Sequence, residues 1–281
     1  MNSSSIKIIF QDVDGCLNPA DGEDFGVDSS WQPSQNQIDM LQEISRAVDD
    51  SPLEHFVVNT GRFWPILENL AQHLTTPKLR YFIMEHACVI YDRVEKRNLD
   101  LVEIARKYQL DSLADRFTHL ETLRKLLAWY DETGLPEMER RYDCPMPRLD
   151  KIGNLSFAIP KHADGGEVLE TIENLVSRDF SPDEFGKLEF LRSDRFIDIL
   201  PGIDKMDGIE LVLAMLDLEK KDAMAMGDYL NDLSVFERFD QVLCPANAHP
   251  DIIALTKTKG SSGIASPHSY GPALLDFLEP K

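Results

Sequence analysis

Short apolar runs that end abruptly in polar or glycine residues open the chain, and between them apolar residues return every three or four positions. Ile6-Lys7-Ile8-Ile9-Phe10 runs into an acidic, glycine-containing segment and predicts a buried strand that ends in a loop. Ile38, Leu41, Ile44 and Val48 then mark a helix. Phe56-Val57-Val58 predicts a second strand, ending at Asn59-Thr60-Gly61-Arg62, and Ile66, Leu67, Leu70 and Leu74 mark a second helix. Tyr81-Phe82-Ile83-Met84 predicts a third strand. Strands alternating with helices in this way imply a parallel sheet covered on both faces.

The pattern changes after Tyr91. A long helical pattern runs through Leu113, Phe117, Leu120, Leu123, Leu127 and Tyr130, with Gly134 as its expected stop and a loop containing Pro136, Pro145 and Pro147 after it. Leu155–Ile159 predicts a strand, and Val168, Ile172 and Leu175 a helix. Leu188–Leu191 and Phe196–Leu200 predict two further strands across a turn at Ser193-Asp194. After Leu200 the first pattern resumes: a helical face at Ile209, Val212, Leu213 and Leu216, a strand Ala223–Met226 cut off by Gly227-Asp228, a short helix at Val235-Phe236, and Val242–Leu243–Cys244 as the last core strand. The expectation is a discontinuous α/β core, 1–91 with 201–281, and a separate α+β unit at 92–200 inserted in it.

Composition narrows the partners. The chain's 281 residues suffice for one large domain or two smaller ones. With 29 basic against 49 acidic residues the net charge is −20, which disfavours nucleic acid and anionic membranes. A phosphorylated ligand would also be repelled at long range, so a phosphate site must rely on a cation, a lysine or backbone N–H groups. Cys16, Cys88, Cys144 and Cys244 show no zinc-ligand spacing and are too few for a disulfide scaffold. With no apolar leader and no spanning stretch, a cytoplasmic chain is expected. Monomer and homodimer stay open.

The chemistry lies where predicted strands stop. The first ends in Asp12 and Asp14, the second in Thr60, Gly61 and Arg62, and a later one in Gly227 and Asp228. Ligands of open parallel sheets bind beyond the carboxyl ends of the strands, so these residues share one edge. Carboxylates gathered there repel one another unless a cation holds them, and hard oxygen donors select magnesium. A held aspartate can attack phosphorus, and a second carboxyl group nearby can protonate the leaving oxygen. Each piece also has a plainer reading: aspartates favour turns, Thr60-Gly61 suits an ordinary cap, and Lys205 alone would be solvated. Arg62 reads slightly better as a surface ion-pair partner than as a substrate contact. Trp31 and Trp64, close behind core motifs, either line an entrance or pack, and packing is the simpler reading.

Taken together, Asp12-Val13-Asp14-Gly15, Thr60-Gly61-Arg62, Lys205 and Gly227-Asp228-Tyr229-Leu230-Asn231-Asp232 resemble the four motifs of the haloacid dehalogenase superfamily in order and spacing. Glu85-His86-Ala87 and Ala246-Asn247-Ala248 are similar to segments of its Cof-type members. The resemblance implies a Rossmann-like core with a large α/β cap. It implies Asp12 as nucleophile and magnesium ligand, and Asp14 as general acid/base and a further ligand through its backbone oxygen. Thr60 would bind phosphate, and Lys205 would orient nucleophile and phosphate. Asp228 and Asp232 would complete the metal site, with Gly61, Arg62, His86 and Asn231 toward the substrate. The implied reaction is phosphomonoester hydrolysis on a small molecule, a sugar phosphate or phosphorylated glycoside. The alternatives are a phosphomutase like the phosphomannomutases and a non-catalytic phosphosugar-binding protein. The sequence departs from the family at Cys16, where threonine or serine is usual, at His86, where asparagine is usual, and at the polar Gln11.

Overall fold

The computed structural model describes residues 6–17, 32–192 and 195–279. Trp31 and the Ser193-Asp194 turn lie outside them. The chain divides into two compact units, Met1–Leu99 with Asp204–Lys281, and Asp100–Ile203.

The first unit starts with β1 (Ile8–Gln11), α1 (Gln35–Asp50), β2 (His55–Asn59), α2 (Trp64–Ala71) and β3 (Leu79–Met84). Every residue of β1 is buried, which is why this strand reads as an unbroken apolar run rather than an alternation. Ser34 and Gln37 form a reciprocal capping box that starts α1. After β3 the chain makes a left-handed turn and returns as β4 (Val89–Asp92), antiparallel to β3, followed by β5 (Arg97–Asn98). The first core segment therefore continues to Leu99 instead of stopping at Tyr91, because the sheet keeps adding strands. Trp64 packs edge-on against Phe82, its ring centroid 5.6 Å away, so it is a packing residue.

The inserted unit follows: α3 (Leu101–Lys107), α4 (Asp111–Phe117), α5 (His119–Trp129), α6 (Leu135–Tyr142), β6 (Leu155–Ala158), α7 (Gly165–Asp179), α8 (Pro182–Phe185), β7 (Glu189–Arg192) and β8 (Phe196–Leu200). The strands form an antiparallel sheet in the order β6-β8-β7. One sheet face gives Leu155, Phe157, Ile197 and Ile199 to a core shared with Leu126, Tyr130, Met138 and Ile172. Tyr130 stacks on Phe157 at 5.3 Å and donates its hydroxyl to the Met146 carbonyl at 2.8 Å. Gly134 does not stop the helix as expected. A wide turn over Tyr130–Gly134 leads straight into α6, and Pro136 sits in the first turn of α6, where a missing N–H costs nothing.

The first unit then resumes with α9 (Lys205–Met215), β9 (Ala223–Met226), α10 (Leu233–Arg238), β10 (Val242–Cys244), α11 (Pro250–Thr258), β11 (Gly263–Ala265) and α12 (Gly271–Leu278). Its sheet order is β11-β10-β9-β1-β2-β3-β4-β5, parallel from β11 through β3 and antiparallel beyond. Val242–Cys244 is thus not the last strand. β11 is a three-residue edge element opened by glycine, too short to show a period. The chain leaves β1 on one side for β2 and β3 and comes back on the other as β9, so the strand order reverses at β1. In such a sheet a crevice opens at the carboxyl ends of the two strands that flank the reversal. Asp12 directly follows β1 there, its N–H bonded to the Met226 carbonyl at 3.0 Å.

Candidate active site

Three strands, β1, β2 and β9, buried throughout except for His55 at the start of β2, stop at this edge, and the loops behind them carry the polar residues. After β1, Gly15 turns the chain with φ +67°; a Cβ there would lie 1.8 Å from Asp228 Oδ2, so only glycine lets the two loops approach. Asn247 holds the turn, donating Nδ2 to the Gly15 carbonyl at 2.8 Å and accepting from the Tyr270 N–H at 3.0 Å. Gln11, buried behind the loop, donates to the Asp12 carbonyl at 2.9 Å.

Lys205 joins the buried groups. It is the first residue of α9, whose start is set by a capping box between Asp204 and Asp207. Its Nζ lies 2.9 Å from Asp12 Oδ1 and 2.6 Å from Asp232 Oδ1, and all three side chains are almost fully buried. The other Asp232 oxygen accepts the N–H groups of Asp228 at 3.1 Å and Tyr229 at 3.3 Å. Asp232 therefore ties Lys205 to the loop after β9. The compact donor group comprises Asp12, Asp228 and Cys16, with ligand atoms within 4.8 Å of one another, and Asp232 is not in it.

Burial raises the Asp12 carboxyl well above its ordinary value, with Lys205 opposing and Asp232, Asp14 and Asp228 adding to the rise. Burial also lifts Asp228 to about 7, helped by Asp232. Burial works against the Lys205 ammonium, but Asp12 and Asp232 outweigh it and raise its pKa. Three buried carboxylates thus face a single buried ammonium among the described residues. A divalent cation fits this imbalance, and Asp12 and Asp228 are the side chains whose oxygens converge to hold it.

The rim is built differently. The Arg62 guanidinium clasps both Asp14 carboxylate oxygens, through Nε at 2.8 Å and 3.0 Å and through a further contact of NH2. Arg62 is only 7 % exposed, against 41 % for Asp14, which corrects the surface reading of this arginine. Thr60 is buried; its Oγ1 accepts the Arg62 N–H at 3.2 Å and its own N–H reaches the Ile83 carbonyl at 2.8 Å. Glu85, His86 and Ala87 all take left-handed conformations, with φ of 49°, 57° and 73°. At about 1–2 kcal/mol each for non-glycine residues, that run is strained backbone beside the site. It sets the His86 ring over Gly61, where a Cβ would come 2.8 Å from Nε2. Asn231 is exposed on the turn before α10.

Asp12, Asp228, Asp232 and Lys205 thus meet in one buried cluster, and Asp14, Thr60, Gly61, Arg62 and His86 are drawn together in local pairs beside it. Cys16 is the packed thiol the sequence suggests, fully buried in the apolar core, with its Sγ 3.9 Å from Asp228 Oδ1. The sequence reading missed two participants. Asn247 carried only a soft likeness. Asp204 was findable from its capping-box spacing to Asp207.

Residues 158–264 match the model of the haloacid dehalogenase-like hydrolase family. Over that segment the chain resembles haloacid dehalogenase-like hydrolases. It is similar in fold to the sucrose-phosphatase of Synechocystis sp. PCC6803, at 15 % identity and TM-score 0.59 over 96 % of this chain and 95 % of that one. A haloacid dehalogenase-like hydrolase of Bacteroides thetaiotaomicron is similar at 15 % identity and TM-score 0.58, over 97 % and 98 %. A Thermoplasma acidophilum protein is similar at 18 % identity and TM-score 0.60, over 96 % of each. No curated protein matches the chain. The inserted unit, with a sheet of its own, is consistent with a cap. Among the described residues no helix is long and apolar enough to cross a membrane.

Proposed function

We propose that the chain hydrolyses small-molecule phosphomonoesters through an aspartyl-phosphate on Asp12, as a magnesium-dependent phosphatase. The observation that carries this is the Lys205 ammonium set between Asp12 and Asp232 at the carboxyl edge of the sheet. Fixed positive charge there opposes the effect of burial on Asp12 and orients its carboxyl group while the dianionic phosphate approaches.

Asp12 attacks phosphorus and the ester P–O bond breaks. Asp14, steered by the Arg62 fork, gives its proton to the departing oxygen. It then takes a proton from water, whose oxygen attacks the same phosphorus, releasing inorganic phosphate and restoring Asp12. The Thr60 hydroxyl and the Gly61 N–H face the phosphate oxygens, with Lys205 balancing the charge that develops on them. His86 and Asn231 border the substrate's organic part. Asp12 and Asp228, with the Asp14 backbone oxygen, hold the cation, and Asp232 supports them through Lys205 and the Asp228 N–H. When bound, the cation neutralises charge on the phosphoryl oxygens and on the carboxylates. A sugar phosphate or phosphorylated glycoside is the substrate class.

Phosphate release from a panel of sugar phosphates, glycosyl phosphates, nucleotides and phosphorylated cofactors, with and without magnesium, tests this. Magnesium-dependent release is expected, strongest on a sugar ester. Isomerised ester without free phosphate would show a mutase, and ligand binding without turnover a binding protein; either result overturns the reading.

A further inference from the structure

Gln11 is the polar residue of β1, whose other members are Ile8, Ile9 and Phe10. Its register partners Val58 and Met226 belong to the apolar core, as does Ile9 two positions before it, so its side chain leaves the sheet on an apolar face. It is fully buried there. Nε2 donates to the Asp12 carbonyl at 2.9 Å, and the amide oxygen, Oε1, is buried without a hydrogen-bond partner among the described residues. An unmatched buried amide oxygen costs stability, and an apolar residue would not carry that cost. Packing therefore does not account for a glutamine at this position.

The Asp12 carbonyl does. β1 runs parallel to β9 with Gln11 opposite Met226, and the Asp12 N–H reaches the Met226 carbonyl at 3.0 Å. Continued by one step, this ladder would bring the Asp228 N–H to the Asp12 carbonyl. That N–H turns away and bonds to Asp232 at 3.1 Å. The parting of the two loops opens the crevice and takes from the Asp12 carbonyl its ladder donor. Gln11 supplies the missing one. The backbone of Asp12 is thus held on both sides, its N–H by β9 and its carbonyl by Gln11, while Lys205 holds the carboxyl group.

We propose that Gln11 is a positioning residue for Asp12: its amide fixes the Asp12 peptide where the sheet ends, so that the carboxyl group meets phosphorus in line. Gln11 lies behind the loop and acts through Asp12. The inference rests on the phosphatase reading for the role of Asp12, but not on the organic part of the substrate.

Gln11→Met keeps the length of the side chain and removes both polar atoms, and Gln11→Leu is a second variant of the same kind. In steady-state phosphate release kcat should fall at least about tenfold with KM within about twofold, since a small displacement of the nucleophile costs rate rather than binding. In acid-quenched single turnovers the phosphoryl group should reach Asp12 more slowly by the same factor. The midpoint of urea unfolding should change little, because one unpaired buried oxygen, Oε1, is exchanged for another, the Asp12 carbonyl. A glutamine with a purely structural role would lower the midpoint and leave kcat per folded molecule unchanged. Wild-type kcat in a folded variant, a loss carried by KM, or failure of both variants to fold overturns the proposal. Trifluoroberyllate, an analogue of the phosphoryl group that bonds to a carboxylate, gives a readout without turnover. With magnesium it should raise the melting temperature of the wild type and raise that of Gln11→Met less; equal gains overturn the proposal. Wild-type turnover that Gln11→Met leaves unchanged would defeat this inference alone. A response to trifluoroberyllate that depends on Gln11, without phosphate release from any ester, would defeat the phosphatase reading alone.

Discussion

The buried half of the site and its rim solve the same problem, holding a carboxylate in place, in opposite ways. Asp12 is locked in the interior by a buried lysine that a third carboxylate secures from behind. Asp14, two residues later, stays partly exposed and is gripped by an arginine whose own side chain is buried. A group that forms and breaks a bond to phosphorus has to stay in line, and a dry, charged lock does that. A group that passes protons to a leaving oxygen and then from water has to meet both, and an exposed carboxylate on a fixed fork does that. Burial separates two aspartates that the sequence shows as near equals, and in the proposed reaction it separates their roles.

The comparison breaks most sharply at Asp12. Asp12→Asn is expected to lower turnover by at least about 10⁴-fold while the fold and melting profile persist, as steady-state kinetics and circular dichroism would show. Lys205→Met tests the lock through stability. It leaves Asp12 and Asp232 buried without their counter-charge, and a loss of about 3–5 kcal/mol in urea unfolding of the cation-free protein is expected. A loss below about 1 kcal/mol would mean that the lysine is not the lock described.

Acid and cation act on the same half. In the unfolded chain Asp228 ionises near 3.8, whereas burial first and Asp232 second raise it to about 7 in the fold. The folded, cation-free protein therefore holds this proton more tightly. That contribution to stability is complete below about pH 4 and is lost as pH rises through about 7. A divalent cation needs the ionised carboxylate and restores what is lost. The gain in melting temperature on adding cation should thus be larger at about pH 8 than at about pH 5, and Asp228→Asn should flatten the difference. The rim gives the smallest effect. Arg62→Gln frees a partly exposed carboxylate, so stability should change by about 1 kcal/mol or less. Turnover should fall about 10–100-fold, with the loss in kcat rather than KM.

The same contrast explains what could be read in the sequence. β1, β2 and β9 are buried on both faces, so they appear as apolar runs, and Asp12, Thr60 and Asp228 stand out where the runs stop. Lys205 was legible only through its family motif, since nothing local distinguishes a buried lysine from a solvated one. Arg62 looked like a surface residue because its partner Asp14 lies 48 positions away in sequence. Cys16 is the packed thiol its sequence suggests, but its contact with Asp228 was not legible because the two lie 212 positions apart. In the cap, the run from α5 into α6 was misread as a stop because the turn at Tyr130–Gly134 and the first-turn Pro136 carry the helix onward. β4 and β5 were missed because they turn back antiparallel, without the intervening helix that announces a parallel strand.

The central claim, that Asp12 carries the phosphoryl group, has one direct measurement. Protein mixed with a turned-over phosphate ester is quenched in acid within a single turnover, and its peptides are weighed by mass spectrometry. A phosphoryl group on the peptide containing Asp12, labile to hydroxylamine and absent from Asp12→Asn, is the predicted result. Product formed within that turnover without any phosphoryl group on Asp12, or with one on another residue, would contradict the account.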